Sequence, residues 1–570
     1  MHANNPHYLS IQLQSCSYAD YEPPGMDQKK EKKEIRLVAD WQALLRTFIR
    51  PENETTRSTL LKYMEPILFG LQEFLGDHVG ITEEVSLKEL SRRFENTRIS
   101  RTPEKKLADV ITDLVENIAP HAVNVASPYF IGHMTSAIPF FMVHLKTIVT
   151  ALNQNVVKLE TSKVVSIIEK QLLAKIHRMI FNHDKAFYAK HVQHSKTTLG
   201  SFVEDGTLAN ITALWVARNR LLKPRNGFGG VEKEGVAAGL EEYGLNRCVV
   251  LVSRLGHYSL QKAGGILGIG NRNIIAIDVD ADNRIDTGKL KQTLKRLKRP
   301  SEKTGIMAVV GIAGTTETGT IDPLCDLAEI CAENRIHFHV DAAWGGPTLM
   351  SDRYRSLLDG ISRADSVIID GHKQFYMPMT CGMVFFKDPI SMDAVVYHAK
   401  YINRLGSVDL GIKSLPGSRE ANSLILDSAL RIMGSQGYAI LIEHGIETAE
   451  KFAEEINRRA DFELVTPPQL NILTYRLYPE KMKRSGSEKP VEERRLNEIN
   501  KMLQRLQREA GRSFVSRTTL NLPATPGAET VVLRCVIMNP MTTIEILKEI
   551  LNEQEAIYRE LIEPLNLVNS

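Results

Sequence analysis

Neither a C-x-x-C pair nor any regular cysteine spacing occurs in this 570-residue chain, whose six cysteines stand at 16, 248, 325, 331, 381 and 535. That scatter excludes a disulfide framework and suits a reducing cytoplasm, the expected location. Long apolar runs are also missing. The most apolar stretch, 138–152, is interrupted by Pro139, His144 and Lys146 and is too short to span a bilayer. The first ten residues lack a basic region followed by an apolar one, so no secretory signal is expected. Excess charge of one sign is nearly absent: a net +3 gives no reason to expect nucleic acid or a membrane surface as partner. What is present, 43% hydrophobic and 24% charged residues, is ordinary for a soluble enzyme, and the length calls for more than one domain.

Residues 1–35 are polar and end in a mixed-charge run, read as a flexible lead. Residues 36–120 carry helical periodicity and form an N-terminal helical segment. From Gly200 to Phe386 the pattern alternates strand, helix and strand, which implies an α/β domain with a mostly parallel sheet covered on both faces, placed at 121–430. A smaller α/β domain is expected over 431–570. Within this frame Asn155 is expected inside a long helical stretch, 226–244 as a surface excursion, Asp322 as a helix N-cap, and 484–495 as a charged loop. The irregular segment 392–417, with Tyr397 and Tyr401, reads as a loop able to close over a site.

The chemistry concentrates in H-F-H-V-D-A-A-W-G-G, from His337, and S-V-I-I-D-G-H-K, ending at Lys373. Two strands ending there present Asp341 and Lys373 together. Pyridoxal phosphate needs that pair: an amine that condenses with its aldehyde, and an acid that keeps its ring nitrogen protonated. G-S-F-V-E-D-G-T, leading into a helix, places Gly206 and Thr207 where backbone N–H groups can receive a phosphate. His257 follows another strand end, and Thr315 another, the edge where parallel sheets collect ligands. Each residue taken alone also fits an ordinary cap or solvated loop. A competing chemistry stays open as well, because His337, His339 and Asp341 share a strand face and so have the spacing of metal ligands in a hydrolase. A third reading is a non-catalytic scaffold on the same fold.

Over about 128–539, these motifs resemble the group II pyridoxal-phosphate-dependent amino-acid decarboxylases. The resemblance implies the fold type I (aspartate aminotransferase-like) architecture, pyridoxal 5'-phosphate as cofactor, no metal, and a homodimer with the site at the subunit boundary. It implies Lys373, Asp341, His257 and a loop tyrosine, here Tyr401, as catalytic residues. Gly206, Thr207, Asn210, His257, Thr315, Asp341, Ala343, His372 and Lys373 would hold the cofactor, and His133, Asn155 and Arg419 the substrate. The branch it points to acts on small acidic amino acids, aspartate to β-alanine, with glutamate to 4-aminobutyrate as the alternative. Asp370 and Gly371 depart from the asparagine and proline of many animal members. A carboxylate beside the phosphate is repulsive unless a proton or a bridging group intervenes.

Overall fold

The computed structural model describes residues 62–565, apart from 399–408, 485–488, 522–528 and scattered positions up to 86. The chain divides into two compact units. The first, Met1–Glu65 with Asn96–Thr112, contributes most of a helix, Leu107–Asp113, that buries no residue. The second, Pro66–Glu95 with Asp113–Ser570, contains both sheets.

In chain order the second unit runs α1 (Phe141–Leu152), α2 (Val164–Phe181), β1 (Gly200–Val203), α3 (Gly206–Leu221), α4 (Val231–Tyr243), β2 (Arg247–Ser253), α5 (Ser259–Ile266), β3 (Ile274–Ile277) and α6 (Thr287–Leu297). It continues with β4 (Thr304–Ile312), α7 (Leu324–Asn334), β5 (His337–Asp341), β6 (Ser366–Asp370), β7 (Gly382–Phe386) and α8 (Asn422–Arg458). The C-terminal part is β8 (Phe462–Thr466), β9 (Ile472–Leu477), α9 (Lys489–Ala510), β10 (Ser516–Asn521), β11 (Glu529–Val536) and α10 (Ile544–Ile557).

Among the described residues β1 to β7 form a seven-stranded sheet in the order β1-β7-β6-β5-β4-β2-β3. All pairings are parallel except those of β7, which runs antiparallel to both neighbours. This is the mostly parallel α/β sheet expected from the alternating pattern. Its central strands are apolar along their whole length because both faces are covered. Val309, Phe338 and Val340 pack into one core with α2, α6, α7 and α8. Val310 and Ile312 pack into the other with α3 and α5, so His337, His339 and Asp341 face α3. Register brings the ends of three elements together: Val203 and Asp370 both pair with Gly382, which sets the start of α3 beside the end of β6. A side chain at Gly382 has no room, since its Cβ would lie 2.5 Å from the backbone of Asp205.

The smaller sheet is antiparallel, in the order β10-β11-β9-β8, and has its own core with α9 and α10. It does not stand apart, however. Leu470, Ile472, Val536 and Met538 belong to the core of the large sheet. The boundary expected near 431 falls within α8, close to Gly434, where φ 63 and ψ 177 break the helix in a conformation open to glycine.

Several local expectations are corrected. Asn155 lies between α1 and α2, because Asn153 adopts the left-handed conformation (φ 46) and ends α1. Residues 231–243 form a helix kinked at Gly235, and Lys489–Ala510 is a helix where a charged loop was expected. In both stretches tertiary packing overrides the glycine and charge signals. Asp322 caps nothing: the N-cap of α7 is Pro323, and the Asp322 carboxylate accepts from the N–H groups of Ile285 at 2.7 Å and Ile312 at 2.9 Å.

Candidate active site

The C-terminal ends of the parallel strands open into a cleft of about 230 Å³. Lys373, Asp341, His257, Gly206, Thr207 and Asn210 all line it, as do Ala343, His372 and His133. Nine of the residues expected at a site therefore meet in one cavity.

Asp341 ends β5 and is 7% exposed. Its Oδ1 accepts from the Ala343 N–H at 3.2 Å and its Oδ2 from the Asn210 amide at 3.0 Å. Asn210 sits on the face of α3 that covers β5. Its carbonyl oxygen lies 2.9 Å from His339 Nε2, so that nitrogen carries the imidazole proton. His339 Nδ1 then accepts from the Ser366 hydroxyl at 2.8 Å, and that hydroxyl lies 2.8 Å from His337 Nε2. Every hydrogen in the chain from His337 through Ser366, His339 and Asn210 thus points towards Asp341. Burial lowers the pKa of His339 to about 4 and that of His337 to about 3, which keeps the donors neutral.

These contacts overturn the metal-hydrolase alternative for His337, His339 and Asp341. Both ring nitrogens of His339 are engaged, one on Ser366 and one on Asn210. Among the described residues no group of three or more His, Cys, Asp or Glu side chains is placed to hold a metal ion.

His257 follows β2. Its Nδ1 accepts from the Ser259 hydroxyl at 2.9 Å, and the same hydroxyl accepts from Asn210 at 3.0 Å. The ring therefore presents its Nε2 side to the cleft, and burial lowers its pKa. On the opposite wall, Lys373 Nζ lies 3.1 Å from Asp370 Oδ2. His372 is held with Nδ1 2.8 Å from the carbonyl oxygen of Cys381. The loop carrying both residues is closed at its ends by the Asp370 to Gly382 pairing.

The start of α3 completes the cleft. Asp205 caps it by accepting from Leu208 N–H at 2.9 Å, which leaves the first backbone N–H groups pointing outward. Gly206 is required by crowding, since a Cβ there would lie 2.8 Å from Asp370 Oδ2. A carboxylate held by two donors, a lysine amine, a neutral imidazole and a helix N-terminus match the ring nitrogen, aldehyde, ring face and phosphate of pyridoxal phosphate. The residues present fit that group.

Three expected residues lie elsewhere, and a fourth is not described. Thr315 turns its hydroxyl to Thr318 at 2.6 Å, and its neighbour Thr316 lines the cleft instead. Arg419 is buried in a two-pronged ion pair with Glu169, their side chains 6% and 1% exposed. Asn155 accepts from the Arg419 N–H at 3.1 Å, so these two residues share a place outside the cleft. Tyr401 lies outside the described residues. Tyr397 hydrogen-bonds Glu232.

Trp344 was not expected in the cleft's wall, nor Arg534 behind His133. Trp344 lines it, donating from Nε1 to Asn471 at 3.0 Å. Arg534, on β11, is a half-buried cation whose Nε has no hydrogen-bond partner. Its charge, with burial the larger cause, lowers the pKa of His133. The sequence signal for Arg534 is one cation inside the apolar run V-V-L-R-C-V.

A family model described as "Pyridoxal-dependent decarboxylase conserved domain" matches residues 89–478. An aspartate 1-decarboxylase of Aliivibrio fischeri is 44% identical over 91% of this chain and 95% of its own length. An L-2,4-diaminobutyrate decarboxylase of Acinetobacter baumannii is 25% identical over 82% of this chain and 86% of its own. In fold, the chain is similar to a crystal structure of Oryza sativa TDC with PLP and tryptamine, with a TM-score of 0.76 at 19% identity, covering 90% of this chain and 100% of that one.

Proposed function

This chain belongs to the pyridoxal-dependent decarboxylase family, and on that premise we propose that it removes the α-carboxylate of L-aspartate. Carbon dioxide leaves, a proton takes its place on the same carbon, and β-alanine is the product. The 44% identity to an aspartate 1-decarboxylase supports this substrate over glutamate, which would give 4-aminobutyrate.

When bound, pyridoxal phosphate supplies an electron-poor ring that takes up the electron pair left by the departing carboxylate. Asp341 holds the proton on the ring nitrogen, and its two donors, Asn210 and Ala343, fix where its oxygens point. Lys373 Nζ is the amine that would hold the aldehyde. His257, a neutral imidazole oriented by Ser259, would help hold the ring. Gly206 and Thr207 receive the phosphate at the start of α3. Trp344 and Met134, both buried, narrow the access of water. Tyr401 is the proposed donor of the final proton.

The observation that carries the acidic-substrate reading is Arg534, a half-buried cation that faces the Glu317 carboxylate, leaves its Nε without a hydrogen-bond partner and acts through its charge on His133 of the cleft wall. We assign to this pair the side-chain carboxylate of the substrate. Carbon dioxide release is to be measured on aspartate and glutamate with the wild type and Arg534→Met. Preferred turnover of aspartate and a raised KM in the variant are expected. Preferred turnover of glutamate rejects the aspartate assignment.

We further propose a cytoplasmic homodimer. Among the described residues no helix is long and apolar enough to cross a membrane. An apolar groove lined by Val125, Ile138, Met379 and Phe514 adjoins His133 and His372, a surface suited to a second copy. Sedimentation at micromolar protein tests the dimer, and a monomer at all concentrations rejects it.

A further inference from the structure

Asp370 ends β6 beneath the first turn of α3 and is 2% exposed. Its Oδ2 lies 3.1 Å from Lys373 Nζ and 3.7 Å from His372 Nε2. Its Oδ1 is buried with no hydrogen-bond partner. A Cβ on Gly206 would sit 2.8 Å from Oδ2 and 3.0 Å from Oδ1, so the carboxyl lies against the backbone that receives the phosphate.

An ionised carboxylate only accepts hydrogen bonds, and a phosphate monoester dianion does the same. Placed side by side, the two repel through acceptor lone pairs and through charge. In the cleft as it stands, Lys373 offsets the carboxylate at Oδ2, but Lys373 Nζ is also the group that must engage the cofactor aldehyde. The remaining neighbour able to offset Asp370 is then His372, 3.7 Å away and only when protonated, so a hydrogen of its own is the direct way to relieve the repulsion.

We propose that Asp370 carries a proton when pyridoxal phosphate is bound and donates it from the carboxyl to the phosphate, so that the chain takes up a proton together with its cofactor. This rests on the pyridoxal phosphate reading of the cleft. The charged and titratable groups around Asp370 come from every packed element. Lys373 and His372 lie on its own loop, Asp341 on β5 and His257 after β2, with Asp205 before α3 and the buried Cys381 before β7. Burial is the largest influence and favours the protonated carboxyl. Asp341 acts in the same direction, and Lys373 and His372 act against it. Asp205 is turned to its capping bond.

The test uses the full chain and its Asp370→Asn variant, whose amide offers a donor at any pH. Calorimetric titration of pyridoxal phosphate into each apoprotein, in buffers of differing ionisation heat, counts the protons taken up. The wild type is expected to take up about one more than the variant. Its Kd relative to the variant's is expected to weaken up to about tenfold per pH unit on the alkaline side. Equal proton counts, or parallel pH profiles, overturn the proposal. Phosphorus NMR of the wild-type holoenzyme needs no variant: a phosphate that stays dianionic while the affinity changes is expected, and a phosphate that itself titrates in that range overturns it. Retention of the cofactor's visible absorbance throughout leaves the cofactor reading standing whichever way the proton count falls.

Discussion

Replacing Asn210 by alanine removes the joint of the buried network. Asn210 is 1% exposed and makes three side-chain hydrogen bonds, to Asp341 and Ser259 at 3.0 Å each and with His339 at 2.9 Å. The Ser259 hydroxyl still has His257 at 2.9 Å, so it loses least. His339 Nε2–H and Asp341 Oδ2 each lose their described partner in the interior. Each such orphan costs about 1–3 kcal/mol, so the apoprotein should lose roughly 2–6 kcal/mol. That is a large share of the roughly 5–15 kcal/mol that holds a typical protein folded. Urea unfolding of the apoprotein reads it directly, as a lower midpoint at unchanged slope. The double variant Asn210→Leu with His339→Phe removes donor and acceptor together and should fall short of the sum of its two single losses, because His339 no longer presents an orphaned N–H. A loss below about 1 kcal/mol in the single variant would mean that the chain of hydrogen bonds does not hold Asp341.

Lys373→Ala should abolish borohydride-fixed cofactor and lower carbon dioxide release by several orders of magnitude, as loss of a covalent catalytic group does; release at the wild-type rate refutes its role. Glu169→Ala strands the buried Arg419 guanidinium and should cost about 3–5 kcal/mol in chemical denaturation, whereas a change within error would show the pair to be dispensable. Burial holds three histidines neutral, with pKa values of about 3 for His177 and His337 and about 4 for His339. The unfolded chain, with histidines near 6.5, binds more protons, so stability rises with pH between roughly 4 and 6.5 and is lost on acidification, by up to about 1.4 kcal/mol per histidine per pH unit. His177→Gln should flatten that slope in urea titrations across the window, and an unchanged slope counts against the assignment.

The residues legible in the sequence are those whose partners are fixed by local pattern. Lys373 and Asp341 end adjacent strands, and Gly206 starts the helix beside them, so strand and helix periodicity alone brought them to one edge. Thr315 and Thr316 are neighbours, and which hydroxyl faces the cleft depends on the turn back to Thr320, whose N–H donates to Thr315 Oγ1 at 3.2 Å. Arg419 and Asn155, both expected at the substrate, meet each other outside the cleft instead, because Glu169, 250 positions from Arg419, claims the guanidinium. Arg534 acts on His133 from β11, a proximity across the fold that no local period encodes. The helix at 489–510 was hidden by charge, because its apolar stripe matters only once a sheet is there to meet it, and the helix at 231–243 by its glycines, one of which, Gly235, kinks it.

Asn471 has a mechanical consequence. It accepts from Trp344 on the cleft wall at 3.0 Å and donates to the carbonyl of Ile537 beside β11 at 3.0 Å. A rivet of this kind couples the tryptophan to the C-terminal sheet, so a swing of that sheet would pull on the cleft wall or break the two bonds. Gating substrate and product by smaller pieces avoids that strain, and tightening or loosening the rivet should alter the chamber's breathing before it alters the chemistry.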